Sequence, residues 1–141
     1  MNKLLLVAGI VFLGFSGAVS AQSCSCTGND QVKGADVTTA LHGNTVCVPN
    51  GAGWEWQEQH RPGGQLWDYK LGSNPVDPTE QVGTWAVSGS GANTIVTHAY
   101  GSQSFAYKVC RAGTTTSYGF CPSSGATIMA TIQGGTASGC Q

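Results

Sequence analysis

The sequence predicts a small all-β protein: an antiparallel up-and-down barrel, or a sandwich, of about seven or eight strands stapled by disulfides. Three observations predict this fold. Glycine is abundant, with 21 residues, and only 9% of residues are charged, a composition that disfavours helices and favours strands joined by turns. Short alternating runs are separated by turn signals. Six cysteines follow an apolar leader, and an even number of them in an exported chain predicts a disulfide framework.

Residues 1–21 have the features of a signal peptide. Lys3 supplies the positive charge, an apolar run follows, and Val-Ser-Ala at 19–21 is a small-residue cleavage site. The run of about twelve apolar residues is shorter than the ~20 that cross a bilayer as a helix. We therefore expect a mature chain of a single domain over residues 22–141, secreted to the periplasm or the extracellular space and without a membrane anchor.

Eight runs of residues account for the strands. They cover 44–48, 54–60, 65–71, 82–88, 94–100, 104–110, 116–121 and 126–132. Residues 36–41 precede them as either one helical turn or a loop. Arg-Pro-Gly-Gly at 61–64 predicts a hairpin turn, and residues 72–81, with two prolines, predict a loop outside the sheet. Alternation places four side chains of the second run on one face: Trp54, Trp56, Glu58 and His60.

The centre of the chain carries a Pro62-Gly63 turn, the strand motif Gly83-Thr84-Trp85 and two further hairpin strands. In these features residues 54–110 resemble the lipocalin-like, or calycin, small barrels. The resemblance favours a barrel over a sandwich. It implies that Trp85 packs against the barrel floor, and that a small apolar ligand or a protein binds at the mouth.

The cysteines allow 15 pairings. Cys24 and Cys26 are too close to bond each other, so both are expected to bond distant partners. Cys110 and Cys121 have ten residues between them, a spacing that suits a bridge at the base of one loop. Because no Cys-x-x-Cys occurs, we expect disulfides rather than a metal or redox site. The predicted disulfide cysteines are Cys24, Cys26, Cys47, Cys110, Cys121 and Cys140.

Charge and motifs exclude several functions. The net charge of −1 provides no basic surface for nucleic acid. The chain has no phosphate loop and no nucleophile elbow. His42, His60 and His98 are not at metal-ligand spacing. We therefore expect no cofactor, no metal, no catalytic residues and no nucleic-acid partner.

Aromatic residues are more numerous between 54 and 69 than a small core requires, which predicts a binding face. Its candidate residues are Trp54, Trp56, Glu58, His60, Arg61, Trp67 and Tyr69. The main hypothesis is a binding protein for a small ligand or an extracellular protein partner. One alternative is an inhibitor of extracellular hydrolases or a self-assembling surface or adhesin subunit. Another is a small hydrolase with Glu58 and His60 as acid and base. The sequence assigns no oligomeric state.

Overall fold

The computed structural model describes Cys26, residues 30–70 and residues 75–141. The predicted signal peptide, Cys24 and part of the 72–81 loop lie outside the described residues. Eight antiparallel strands follow one another around a closed barrel, with the last strand paired to the first. The predicted all-β up-and-down fold is confirmed, and the barrel is the correct alternative. No helix in the described part of the chain is long and apolar enough to cross a membrane.

Every predicted strand is present within a few residues of its expected bounds, and the segment before the first strand is helical. The elements are α1 (Ala35–Leu41), β1 (Asn44–Asn50), β2 (Gly53–Arg61), β3 (Gln65–Asp68), β4 (Glu80–Ser88), β5 (Ile95–Tyr100), β6 (Gln103–Arg111), β7 (Ser117–Pro122) and β8 (Ile128–Gly134). A short 3-10 turn, Gly91–Asn93, precedes β5.

Helix α1 closes one end of the barrel. It directs Val37 and Leu41 into the same apolar core as Trp85. The main-chain N–H of Gly34, just before the helix, donates to Thr94 Oγ1 at 2.9 Å beside the start of β5. The N–H of Gly43, just after the helix, donates to the His60 carbonyl at 2.8 Å near the end of β2. We call this the closed end.

Trp85 is buried at the closed end, as predicted, and its neighbours Thr84 and Ala86 are exposed on the other face of β4. The indole Nε1–H donates to the Arg61 carbonyl at 3.2 Å, so the polar edge of the ring is satisfied. Two glycines allow neighbouring backbone segments to approach each other closely in this region. A Cβ at Gly64, which has φ 72°, would lie 2.9 Å from the Trp85 carbonyl oxygen, and one at Gly83 would lie 2.1 Å from that of Ala99.

Two disulfides are described in full: Cys26–Cys110, with Cα atoms 5.6 Å apart, and Cys47–Cys140, with Cα atoms 5.9 Å apart. Cys121 is also disulfide-bonded. The predicted Cys110–Cys121 bridge is wrong, because Cys110 bonds Cys26 from the N-terminal segment. The β6–β7 register pairs Cys110 with Gly119, so Cys121 lies two residues out of step. The distant partner predicted for Cys26 is confirmed.

Candidate functional site

The barrel encloses a cavity of about 460 Å³ at the end opposite α1, which we call the open end. Every strand contributes to its wall, and apolar and aromatic side chains predominate. Pockets of this size and character typically hold small molecules. The lining residues are Val46, Val48, Glu55, Trp56, Glu58, Asp68, Val82, His98, Tyr100, Phe105, Tyr107, Phe120 and Ile128.

Two irregularities in strand register shape the open end. The β1–β2 pairing passes over Glu55, and the β3–β4 pairing passes over Val82. An extra residue of this kind bends a strand and redirects the side chains around it, and such bulges are common at barrel rims. Here Trp56 pairs with Val48 and lines the cavity, whereas Trp54 pairs with Pro49 on the outer face.

Two aromatic side chains in the cavity wall remain open to water. Trp56 is 40% exposed and Phe105 is 44% exposed, although both line the cavity. The Phe105 ring also packs against Tyr100, with the ring centroids 6.1 Å apart. Aromatic surface left in contact with water gains free energy when a ligand covers it. This mouth is therefore suited to contact an apolar ligand.

A chain of polar side chains leads from the cavity towards the closed end. The Tyr100 hydroxyl donates a hydrogen bond to Glu58 Oε1. Glu58 Oε2 lies 3.6 Å from His98 Nδ1, and His98 Nε2 lies 3.0 Å from His60 Nε2. The other nitrogen of His60, Nδ1, is 3.3 Å from the main-chain oxygen of Glu58. The fully buried His60 ring packs edge-on against Trp85, with centroids 5.2 Å apart.

The direction of these hydrogen bonds follows from one main-chain atom. The Glu58 carbonyl oxygen only accepts, so the neutral His60 ring carries its proton on Nδ1 and accepts at Nε2. His98 must then donate from Nε2, which leaves a lone pair on its Nδ1. That lone pair faces the Glu58 carboxyl, and a protonated carboxyl is its matching partner.

Burial shifts the pKa values of Glu58, His98 and His60 in the directions that favour their neutral forms. It raises the pKa of Glu58; the hydrogen bond from Tyr100 opposes the rise and the charge of Asp68 adds to it. Burial also lowers the pKa of His98 to about 4. The pKa of His60 falls well below its ordinary 6.5 through burial and then through His98. Both histidines are therefore neutral at physiological pH.

The residues predicted to form one binding face are divided between the two faces of the barrel wall. Trp56 and Glu58 line the cavity, and His60 lies behind its floor. Arg61 and Trp67 lie outside, where the guanidinium stacks 4.0 Å from the ring centroid. The cause is the β2–β3 register, which pairs Glu58 with Asp68 on the inner face and Gln59 with Trp67 on the outer face.

The outer face of β2 is covered by the C-terminal segment. Gln59 Nε2 donates to the Thr136 carbonyl at 2.9 Å, and the Cys140 N–H donates to Gln57 Oε1 at 2.7 Å. Tyr69 packs so closely on Gly139 that a Cβ there would lie 2.5 Å from its ring. Tyr69 therefore helps to hold this segment against the barrel wall.

Several cavity residues were missed by the sequence interpretation. Asp68 is the inward neighbour of Trp67 on β3, and His98, Tyr100, Phe105 and Tyr107 belong to β5 and β6. Alternation along each strand was the signal available in the sequence, but it does not say which of the two sets of side chains faces inward. The pairing decides this: inward-facing Trp85 pairs with His98, which pairs in turn with Phe105. The proposed Glu58–His60 acid–base pair does not meet as expected. His60 contacts the main chain of Glu58, and the Glu58 carboxyl faces His98.

Comparison of the chain with known protein families, curated proteins and solved structures gives no match.

Proposed function

We propose that this chain is a secreted binding protein that holds a small apolar ligand in the cavity at the open end. The cavity itself carries the proposal. It offers about 460 Å³ of space in a barrel whose other end is filled by α1 and Trp85. Its exposed aromatic mouth, Trp56 and Phe105, would be covered by such a ligand.

The resemblance of residues 54–110 to lipocalin-like barrels supports the same proposal. An eight-stranded up-and-down barrel is wide enough to hold one small ligand. Trp85 packs at the closed end, where the resemblance implies a floor. The disulfides support the secretion part of the proposal, because such bonds persist in oxidising compartments.

The alternative of self-assembly through sheet edges has less support. In the closed barrel each of the eight described strands is paired on both sides, so none offers a free edge as a template. The hydrolase alternative loses its proposed acid–base pair, since the Glu58 carboxyl faces His98 rather than His60. Binding in the cavity is the function that the geometry supports best.

The test is a calorimetric titration of the mature protein with two neutral apolar probes, 2-phenylethanol and 1-octanol. We expect saturable binding of at least one probe and a loss of about tenfold or more in its affinity in Trp56→Ala. Trp67→Ala is the matched control, because it removes an indole from the outer face of the neighbouring strand. Absence of saturable binding by these probes and by their amine counterparts, 2-phenylethylamine and octylamine, or equal losses in the two variants, would refute the proposal.

A further inference from the structure

The polar wall of the cavity presents hydrogen-bond acceptors. Tyr100 directs its hydroxyl proton to Glu58, so its oxygen faces the cavity as an acceptor. His98 Nδ1 also carries a lone pair, which faces Glu58 Oε2 at 3.6 Å and which only a protonated Glu58 carboxyl would match. The carboxyl oxygens of Glu58 and Asp68 complete the wall. A ligand that satisfies these groups must bring donors of its own.

The charged residues of the cavity also favour a ligand that donates hydrogen bonds. Three carboxyl side chains line it, those of Glu55, Glu58 and Asp68, and the described lining contains no lysine or arginine. Lys70 is close by, with its Nζ 3.0 Å from Asp68 Oδ2, but it lies outside the lining and pairs with Asp68. Glu58 is only 14% exposed, and its described partners are an uncharged tyrosine and a neutral histidine.

Glu58 and Asp68 also occupy directly opposite positions on β2 and β3, both on the inner face. Like charges in this arrangement repel and destabilise a sheet. In a cavity with apolar walls the repulsion is screened less than in water. In the empty cavity this repulsion adds to burial in raising the pKa of Glu58, and a cation bound between the two side chains would attract both carboxylates.

We propose that the ligand is a small organic ammonium ion: a primary amine on an aromatic or short aliphatic body. Its nitrogen would bind at Glu58 and Asp68, and its body would cover Trp56 and Phe105. This inference rests on the proposed function of the cavity and specifies its ligand class. Anionic ligands such as carboxylates are repelled by the same wall, and a neutral alcohol offers it a single donor.

Binding of the ammonium ion is coupled to loss of a proton from Glu58. Burial raises the pKa of Glu58, which favours the protonated carboxyl in the empty cavity, with His98 Nδ1 3.6 Å from its Oε2. The arriving ammonium group donates N–H bonds to the carboxylate, and the carboxyl O–H proton leaves to water. No covalent bond to the ligand forms. The groups facing Glu58 are Asp68 from β3, His98 and Tyr100 from β5 and Tyr107 from β6, with His60 behind.

The test is a matched series with one phenyl body and three head groups: 2-phenylethylamine, 2-phenylethanol and 3-phenylpropanoate. We expect the amine to bind about tenfold or more tightly than the alcohol at neutral pH, because charge-assisted hydrogen bonds are the stronger kind. The carboxylate should bind most weakly. Calorimetry in buffers of different ionisation enthalpy should detect release of up to one proton per bound amine.

Three variants locate the effect. Glu58→Gln should abolish both the preference for the amine and the proton release. Glu80→Gln is the control: it removes the same charge opposite Asp68 but outside the cavity lining, and should keep the preference. Asp68→Asn should weaken the preference and retain proton release, which tests the site separately should Glu58→Gln fail to fold.

The possible failures are distinguishable. Equal binding of amine and alcohol, a preference that survives in Glu58→Gln, or an equal loss in Glu80→Gln overturns the ammonium proposal and leaves the cavity function standing. Absence of binding by all three phenyl probes and by octylamine overturns the proposed function together with this inference.

Discussion

The two ends of the barrel are built from the same eight strands and differ in what fills them. At the closed end α1 inserts Val37 and Leu41 beside Trp85, and these side chains are almost inaccessible to water. At the open end the same alternation of residues surrounds about 460 Å³ of space, and Trp56 and Phe105 remain partly exposed. One barrel thus combines a packed core with a cavity.

This difference separates stability from binding. Close packing at the closed end makes each buried group costly to remove. At the open end a partly exposed aromatic side chain contributes less to folding, and its free surface is available to a ligand. Substitutions at the closed end should therefore lower the free energy of unfolding more than the binding affinity, and substitutions at the open end should do the reverse.

The largest effect is expected for Trp85→Ala. Removing this buried indole leaves a cavity and the Arg61 carbonyl without its donor, so the free energy of unfolding should fall by about 3–5 kcal/mol. Urea unfolding followed by circular dichroism measures the change. A melting temperature within a few degrees of wild type would contradict the role of the closed end.

Removal of the Cys47–Cys140 disulfide should come next. The bond spans 93 residues and clasps the C-terminal segment to the barrel, and losing such a bond costs about 2–5 kcal/mol. Because it lies on the outer face, the paired Cys47→Ala and Cys140→Ala variant should keep its affinity for 2-phenylethanol at temperatures where it is folded. Loss of binding by a folded variant would show that the outer face supports the cavity directly.

The buried histidines predict a pH dependence of stability. Their pKa values are lowered in the folded barrel, so their contribution is present above the ordinary pKa of 6.5. It is lost as the pH falls towards the folded value of about 4 for His98. The free energy of unfolding should decline over this interval by up to about 1.4 kcal/mol per pH unit for each proton.

Two variants check the sign of this prediction by urea unfolding at several pH values. His98→Gln should flatten the decline. Glu58→Gln should steepen it, because the raised pKa of Glu58 makes its contribution present below 4.5 and lost as the pH rises. In Glu58→Gln, where this opposing contribution is absent, a stability that does not change between pH 7 and 4 would rule out the neutral histidine pair.

The smallest effect on stability is expected at the mouth. Phe105→Ala should lower the free energy of unfolding by about 1 kcal/mol or less, because the ring is 44% exposed, while it weakens binding of 2-phenylethanol severalfold. Met129→Ala is the matched control, since Met129 is similarly exposed, at 48%, but lies outside the cavity lining. Similar binding by Phe105→Ala and Met129→Ala would remove the mouth from the binding site.

The sequence predicted the strands well because alternation and turn residues are local properties. It also predicted the burial of Trp85. It did not predict the position of Trp54, because the bulge at Glu55 interrupts the alternation without a recognisable residue pattern. The inner and outer placements of Asp68 and Trp67 depend on the β2–β3 register, which is a property of paired strands.

The sequence did not predict the contacts between distant residues for a related reason. Cys26 meets Cys110 across 84 residues, and His60 meets His98 across 38, only once the strands close into a barrel. Sequence spacing suggested Cys110 with Cys121 and Glu58 with His60, the nearest partners along the chain. Closure of the barrel selected other partners.

Binding at the open end is tested most directly by a methyl NMR titration of the protein with 2-phenylethylamine and 2-phenylethanol. Both ends of the barrel carry reporters in one molecule: Val46, Val82 and Ile128 line the cavity, and Val37 and Leu41 fill the closed end. We expect saturable shifts of the first group, a higher affinity for the amine than for the alcohol, and unchanged signals from the second group. Shifts confined to the closed end, or no saturable shifts with either probe, would contradict binding at the open end.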